Sequence, residues 1–116
     1  GSWILPRLIG PSKALRLLYS GDQITGAEAL ALGYANELVA PENLMEAAMT
    51  EARRYLKSSP MSLRLMKKLV WHGLERDMAE HMKAHVEALS GCFKSADHKE
   101  GVASFLEKRP ANFTGR

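Results

Sequence analysis

A single cysteine, Cys92, stands in the 116 residues, so no internal disulfide can form, and the expected setting is a reducing compartment, the cytoplasm. A lone thiol of this kind reads as inert and half-buried. No apolar run approaches the ~18 residues that a membrane span requires, so no membrane partner is expected. Aromatic side chains amount to only 7%, while Leu, Ala and Met are plentiful, a balance that favours helices over sheets. The expected fold class is therefore all-α. GxGxxG, GxxxxGKS/T and GxSxG are all missing, which excludes a recognisable phosphate-cradling loop or nucleophile elbow. Between Gly21 and Ala52 there is no Lys or Arg, only Asp22, Glu28, Glu37, Glu42, Glu46 and Glu51. Positive charge gathers instead at the two ends, in Arg7, Lys13 and Arg16 and in Lys108, Arg109 and Arg116.

What is present is ordinary for a globular chain: 46% hydrophobic, 25% charged, formal net charge +3. The length suits one domain over residues 1–116. Glycine and proline divide it into six helical stretches. Gly10-Pro11-Ser12 precedes a helix with Leu15, Leu17 and Leu18, which Ser12 is placed to cap and Gly21 to end. Thr25 and Glu28 have capping-box spacing, and Gly33 supplies a left-handed stop. After the extended connector ANELVA, Pro41 opens a third helix with a stripe of Leu44, Ala47, Ala48, Ala52, Tyr55 and Leu56, broken at Ser58-Ser59-Pro60. A fourth helix carries Leu65, Met66, Leu69 and Val70 and bends at Gly73. The fifth repeats Met78, Met82, Val86 and Leu89 and is expected to stop at Gly91. Ser95 caps the last, with Val102, Phe105 and Leu106 expected inward. Such broad apolar faces exceed what a body this small can bury alone. The methionine line Met61, Met66, Met78 and Met82 suits either core filling or an adaptable interface.

Candidate chemistry is sparse. His81 and His85 lie four apart on one helix face, but no third ligand stands near them and no Glu follows the first, so no metal site is assigned. Ser, His and carboxylates occur without any spacing that assembles a triad. TGAEALALGYANELV has the outline of a helix-turn-helix, yet Pro41 arrives before a recognition helix can form and the flanking charge is acidic, which argues against nucleic acid. Lys108 and Arg109 follow a helix C-terminus, where positive charge offsets the macrodipole. Phe105 and Lys108, three apart, also place a ring and an ammonium on one side of a helix, a pair that suits a purine bearing phosphates. The Asn112-Phe113 tail reads as a frayed end, a grip on an anion, or a handle for another subunit.

LPRLIGPSKALRLLYSGDQITGAEALALGYANELV, followed by KEGVASFLEKRPANF, resembles the C-terminal part of the crotonase, or enoyl-CoA hydratase/isomerase, superfamily. Gly21-Asp22, the Thr25-to-Glu28 box, Ala29-Leu30, Gly33, Glu100-Gly101, Phe105, Lys108-Arg109 and Phe113 stand in the order those proteins have. The Gly1-Ser2 opening, with no initiator methionine, reads as an expression scar or the cut end of a longer protein. The resemblance implies a small multi-helix, trimerisation-type domain lacking the N-terminal ββα spiral core. It implies a parent that hydrates or isomerises acyl-CoA thioesters through an enolate, with no cofactor required. The oxyanion hole and acid/base carboxylates would lie in the spiral core, so no catalytic residue is expected in this segment, and alone it is expected to be inactive. The implied partners are acyl-CoA, that core, and copies of the chain in a homotrimer or hexamer. Phe105 and Lys108 are the positions the resemblance implies for CoA contact. Trp3 lines the acyl pocket or packs as a core residue. Glu28 and Glu37 are expected to do capping and surface work only. The rival reading is a free-standing helical assembly or binding module.

Overall fold

A computed structural model describes residues 1–116, and every regular element in it is helical. The seven helices are α1 (Ile4–Ile9), α2 (Pro11–Ser20), α3 (Gly26–Leu32), α4 (Leu44–Arg54), α5 (Pro60–Gly73), α6 (Met78–Lys94) and α7 (Ala96–Leu106). Short 3₁₀ turns at Pro41–Asn43 and Tyr55–Lys57 flank α4. The chain divides into two compact units, Gly1–Ala47 and Ala48–Arg116.

In the first unit α1 packs on α2, around Ile9 and Ala14. Helix α1 precedes the first of the six helical stretches expected from sequence. The cap of α2 also differs from expectation, because Ser12 sits inside the first turn. Gly10, at φ 82° and ψ 154°, takes the cap position and Pro11 follows as the first helical residue. A proline fits there because its missing N–H would have no helical partner, and only glycine adopts the preceding conformation without strain. Helix α3 follows its expectation closely. Thr25 Oγ1 accepts from the Glu28 N–H at 3.2 Å, the Glu28 carboxylate accepts from the Thr25 N–H at 2.7 Å, and Gly33 ends the helix at φ 79°. Residues 34–40 hold no helix, so nothing stands where a recognition helix would. Trp3 is half exposed, with the Arg7 guanidinium 4.0 Å from its ring centre.

In the second unit α5 packs on α6 and α6 on α7. Met61, Leu65 and Leu69 turn toward the partner helix, while Met66 and Val70 are exposed. On α6 the covered positions are His81, Ala84, Ala88, Gly91 and Cys92, while the repeating Met78, Met82, Val86 and Leu89 are all exposed, which for Met78 and Met82 leaves the interface alternative standing. Small residues win the contact because they let two helix backbones approach. A Cβ at Gly91 would lie 3.7 Å from Met61 Cε. For the same reason Gly91 does not end α6, which runs on to Lys94. Ser95 caps α7 as expected, accepting from the His98 N–H at 3.0 Å. Val102, Phe105 and Leu106 face outward, however, and the side α7 buries holds Asp97 and Ser104. The apolar stripe of α4 is likewise uncovered, and that helix has no buried residue.

Candidate functional site

The second unit contains a cleft of about 620 Å³ among the start of α5, the end of α6, α7 and the tail, walled by Ser62, Phe93, His98, Val102, Phe105 and Phe113. Its construction begins with Asp97, in the first turn of α7 and only 2% exposed. Buried carboxylates need partners, and Asp97 has them from two directions. Ser59, the cap of α5, donates its hydroxyl to Oδ2 at 2.6 Å. From the tail, the Thr114 N–H donates to Oδ1 at 2.7 Å and the Gly115 N–H reaches both oxygens at 3.0 and 3.1 Å. The Asp97 N–H in turn donates to the Arg116 carbonyl at 3.1 Å. Arg64 of α5 adds a bond from Nη2 to the Gly115 carbonyl at 2.9 Å. The Ser59 hydroxyl, with the Thr114 and Gly115 amides, holds the Asp97 carboxyl below its ordinary value.

One turn further along α7, Glu100 repeats the pattern. Arg109 Nη1 and Nη2 donate to its two oxygens at 2.6 and 2.9 Å, a two-pronged fork, and the Asn112 N–H donates to Oε1 at 2.7 Å. Arg109 also bonds Glu107. The fork, with the Asn112 amide, takes Glu100 from 4.5 down to about 2. Glu100, first in effect, and Glu107 push the Arg109 guanidinium up. The Phe113 ring lies over Gly101, where a Cβ would be 3.7 Å from it. Residues 109–116 are thus strapped across α7 and onto α5, which sets aside the frayed-end alternative for Asn112-Phe113. Its signal in the sequence was the Asp97/Glu100 pair on one helix face followed by backbone donors, but those pairings span up to 18 residues and follow no local pattern.

Because both carboxyls are stronger acids in the folded chain than in the unfolded one, their bonds stabilise the fold fully above the unfolded value and fade as pH falls toward the folded value. For Glu100 that window runs from 4.5 down to about 2. Thermal unfolding followed by circular dichroism should accordingly show a melting temperature that is level near neutrality and drops across this window. In Glu100→Gln the melting temperature should start lower and converge with the parent near pH 2.

Asp97 and Glu100 of α7 are committed to the strap. Glu28 is likewise occupied by its capping box. Phe105 borders the cleft and is 83% exposed. Lys108 is exposed too, but it is not one helical turn on from Phe105 as read from sequence. Helix α7 ends at Leu106, and residue 108 takes the left-handed conformation at φ 53°. The two remain linked by the Lys108 N–H to the Phe105 carbonyl at 3.3 Å.

His81 and His85 have ring centres 6.3 Å apart beside a second, apolar groove of about 340 Å³ along α5 and α6. His81 is packed on Gly73, where a Cβ would sit 2.9 Å from its ring, and its Nδ1 has no hydrogen-bond partner. Cys92 is half-buried, with Sγ 3.7 Å from Ser62 Oγ. No helix is long and apolar enough to cross a membrane.

The sequence profile of the enoyl-CoA hydratase/isomerase family matches residues 1–116. A crotonyl-CoA hydratase of Syntrophomonas wolfei is 39% identical over the whole chain, which covers 45% of that protein. A short-chain-enoyl-CoA hydratase of Clostridium acetobutylicum is 31% identical over 94% of the chain and 42% of its own length. The crystal structure of an enoyl-CoA hydratase from Bacillus anthracis superposes with a TM-score of 0.94 at 30% identity, covering 99% of this chain and 45% of that one. The chain therefore spans a little under half the length of the relatives it matches.

Proposed function

Since the chain belongs to the enoyl-CoA hydratase/isomerase family, we propose that it works as the C-terminal helical part, residues 1–116, of an enzyme that adds water across the 2,3-double bond of an enoyl-CoA thioester. Hydration is preferred to double-bond movement because the relatives matched over nearly the whole chain carry hydratase names. The segment contributes assembly and closure of the CoA site. The oxyanion hole that stabilises the thioester enolate, and the carboxylates that move the protons, belong to the spiral core with which it pairs. In keeping with this division, Asp97, Glu100 and Glu28 are all occupied structurally.

Within this reading Phe105 stacks on the adenine of CoA and Lys108 meets its phosphates. The exposed ring supplies a flat apolar face and the ammonium a point charge for an oxyanion. No cofactor beyond the substrate is needed. Copies of the protein associate through the uncovered helix faces as a homotrimer or hexamer, in the cytoplasm. The observation that carries the proposal is the 39% identity with a crotonyl-CoA hydratase along all 116 residues.

The test is turnover of crotonyl-CoA, followed by loss of the enoyl thioester absorbance. The protein as its gene encodes it should hydrate crotonyl-CoA, and the 116-residue chain produced alone should not. Turnover by the isolated chain would overturn the division of labour, and inertness of the encoded protein toward enoyl thioesters would overturn the activity.

A further inference from the structure

Lys108 is the only residue other than glycine with a positive φ, at 53°. A Cβ disfavours that conformation, and glycine is the usual occupant of the position just past a helix end. Such a residue persists when its neighbours over-determine it. Here they do so on both sides. The Glu107 N–H donates to the Ala103 carbonyl at 2.9 Å and the Arg109 N–H to the Ser104 carbonyl at 3.1 Å, which closes the backbone around residue 108. The Arg109 guanidinium then locks residue 109 to α7 through its fork on Glu100 and its bond to Glu107.

The two adjacent cations are therefore used differently. Arg109 has its guanidinium wholly engaged by protein carboxylates and a carbonyl. Lys108, held between two residues whose backbone N–H groups are bonded to α7, is exposed. A lysine stands where glycine would be easier, and its exposed charge, which offsets the α7 macrodipole, is also open to a ligand.

We propose that Glu100, acting through Arg109, is a positioning residue for Lys108, fixing the left-handed turn from which the ammonium engages a phosphate-bearing ligand. The inference rests on the CoA reading of Lys108 and adds to it the device that aims the residue. Glu100 does not touch the ligand. An unforked Arg109 would let residues 108 and 109 relax into other conformations, so the ammonium would have to be re-ordered each time the ligand binds.

The experiment measures calorimetric affinity for CoA, and for pantetheine as a ligand without phosphates, in the protein as its gene encodes it. Lys108→Ala should weaken CoA binding about tenfold, the loss of one charge-assisted contact. Glu100→Gln should weaken it several-fold, pantetheine should be unaffected by either change, and the double variant should bind no worse than Lys108→Ala alone. Arg109→Lys keeps the charge but cannot fork, and it should reproduce Glu100→Gln, which also covers the case in which Glu100→Gln folds poorly. If Lys108→Ala binds CoA normally, the CoA reading of Lys108 falls and the positioning role with it. If Lys108→Ala weakens binding while Glu100→Gln and Arg109→Lys do not, the positioning role alone is overturned. Additive losses, or an equal loss for pantetheine, would reduce Glu100 to a purely structural part and overturn it as well.

Discussion

Asp97→Ala should release residues 112–116 from α7 and lower the melting temperature by about 5 °C or more, among the larger effects available from one side chain in this chain. The reasoning is the arithmetic of partners. A single carboxylate satisfies the Ser59 hydroxyl and the Thr114 and Gly115 amides, and alanine would remove the acceptor from all three of these part-buried donors. Asp97→Asn keeps one acceptor oxygen and offers an NH2 group where the tail presents its own donors, so it should fall between parent and alanine. Amide hydrogen exchange is the sharper readout. In the parent the Thr114 and Gly115 amides should exchange slowly for a terminal segment, and in Asp97→Ala at the rate of free chain. Unchanged protection would mean that the Arg64 and Glu100 contacts hold the strap without Asp97.

Produced alone, the 116 residues should self-associate. The only buried apolar residues are Ile9, Ala14 and Ala29, and no large side chain is fully buried. The accessible surface is 9437 Å². A compact body of this mass would expose roughly 6,300 Å², and even two separate compact bodies of the two units' sizes roughly 7,500 Å². Large apolar side chains remain uncovered, including Met66 at 62%, Met78 at 75% and Met82 at 49% exposed. Full burial of a wholly exposed side chain of this kind is worth roughly 1.5–3 kcal/mol, so covering many of these partly exposed ones together favours pairing with a second copy against the cost of association. Light scattering should therefore give a mass that rises with concentration, and Met66→Lys with Met82→Lys should bring it back toward the monomer. A monomer at all concentrations would overturn this expectation.

The contrast between elements shows which physics is legible in a single sequence. The Thr25–Glu28 box and the Gly33 stop were readable because each is settled within one helical turn of its own residues. The Ser95 cap was readable for the same reason. Which face a helix buries was not, as α6 and α7 demonstrate. Periodicity reports that Met78, Met82, Val86 and Leu89 share a side, but the α5 contact selected the small residues opposite, and Val102, Phe105 and Leu106 look outward. The strap escaped notice because its bonds join residues 9 to 51 positions apart. Phe105 and Lys108 entered through family resemblance. The turn at Lys108 had no signal, since lysine is not a residue that marks left-handed backbone.

The span of those bonds has a kinetic side. Helices α5 to α7 can each form and pair through neighbours close in sequence, whereas Ser59 meets Asp97 across 38 positions and Arg64 meets Gly115 across 51. Contacts of such separation carry a large chain-closure cost and tend to come after the folding barrier. The strap then contributes little to how fast the second unit assembles and much to how slowly it comes apart. The tail is then expected to act as a fastener closed last and opened first, so that Asp97→Ala speeds unfolding more than it slows folding in stopped-flow measurements.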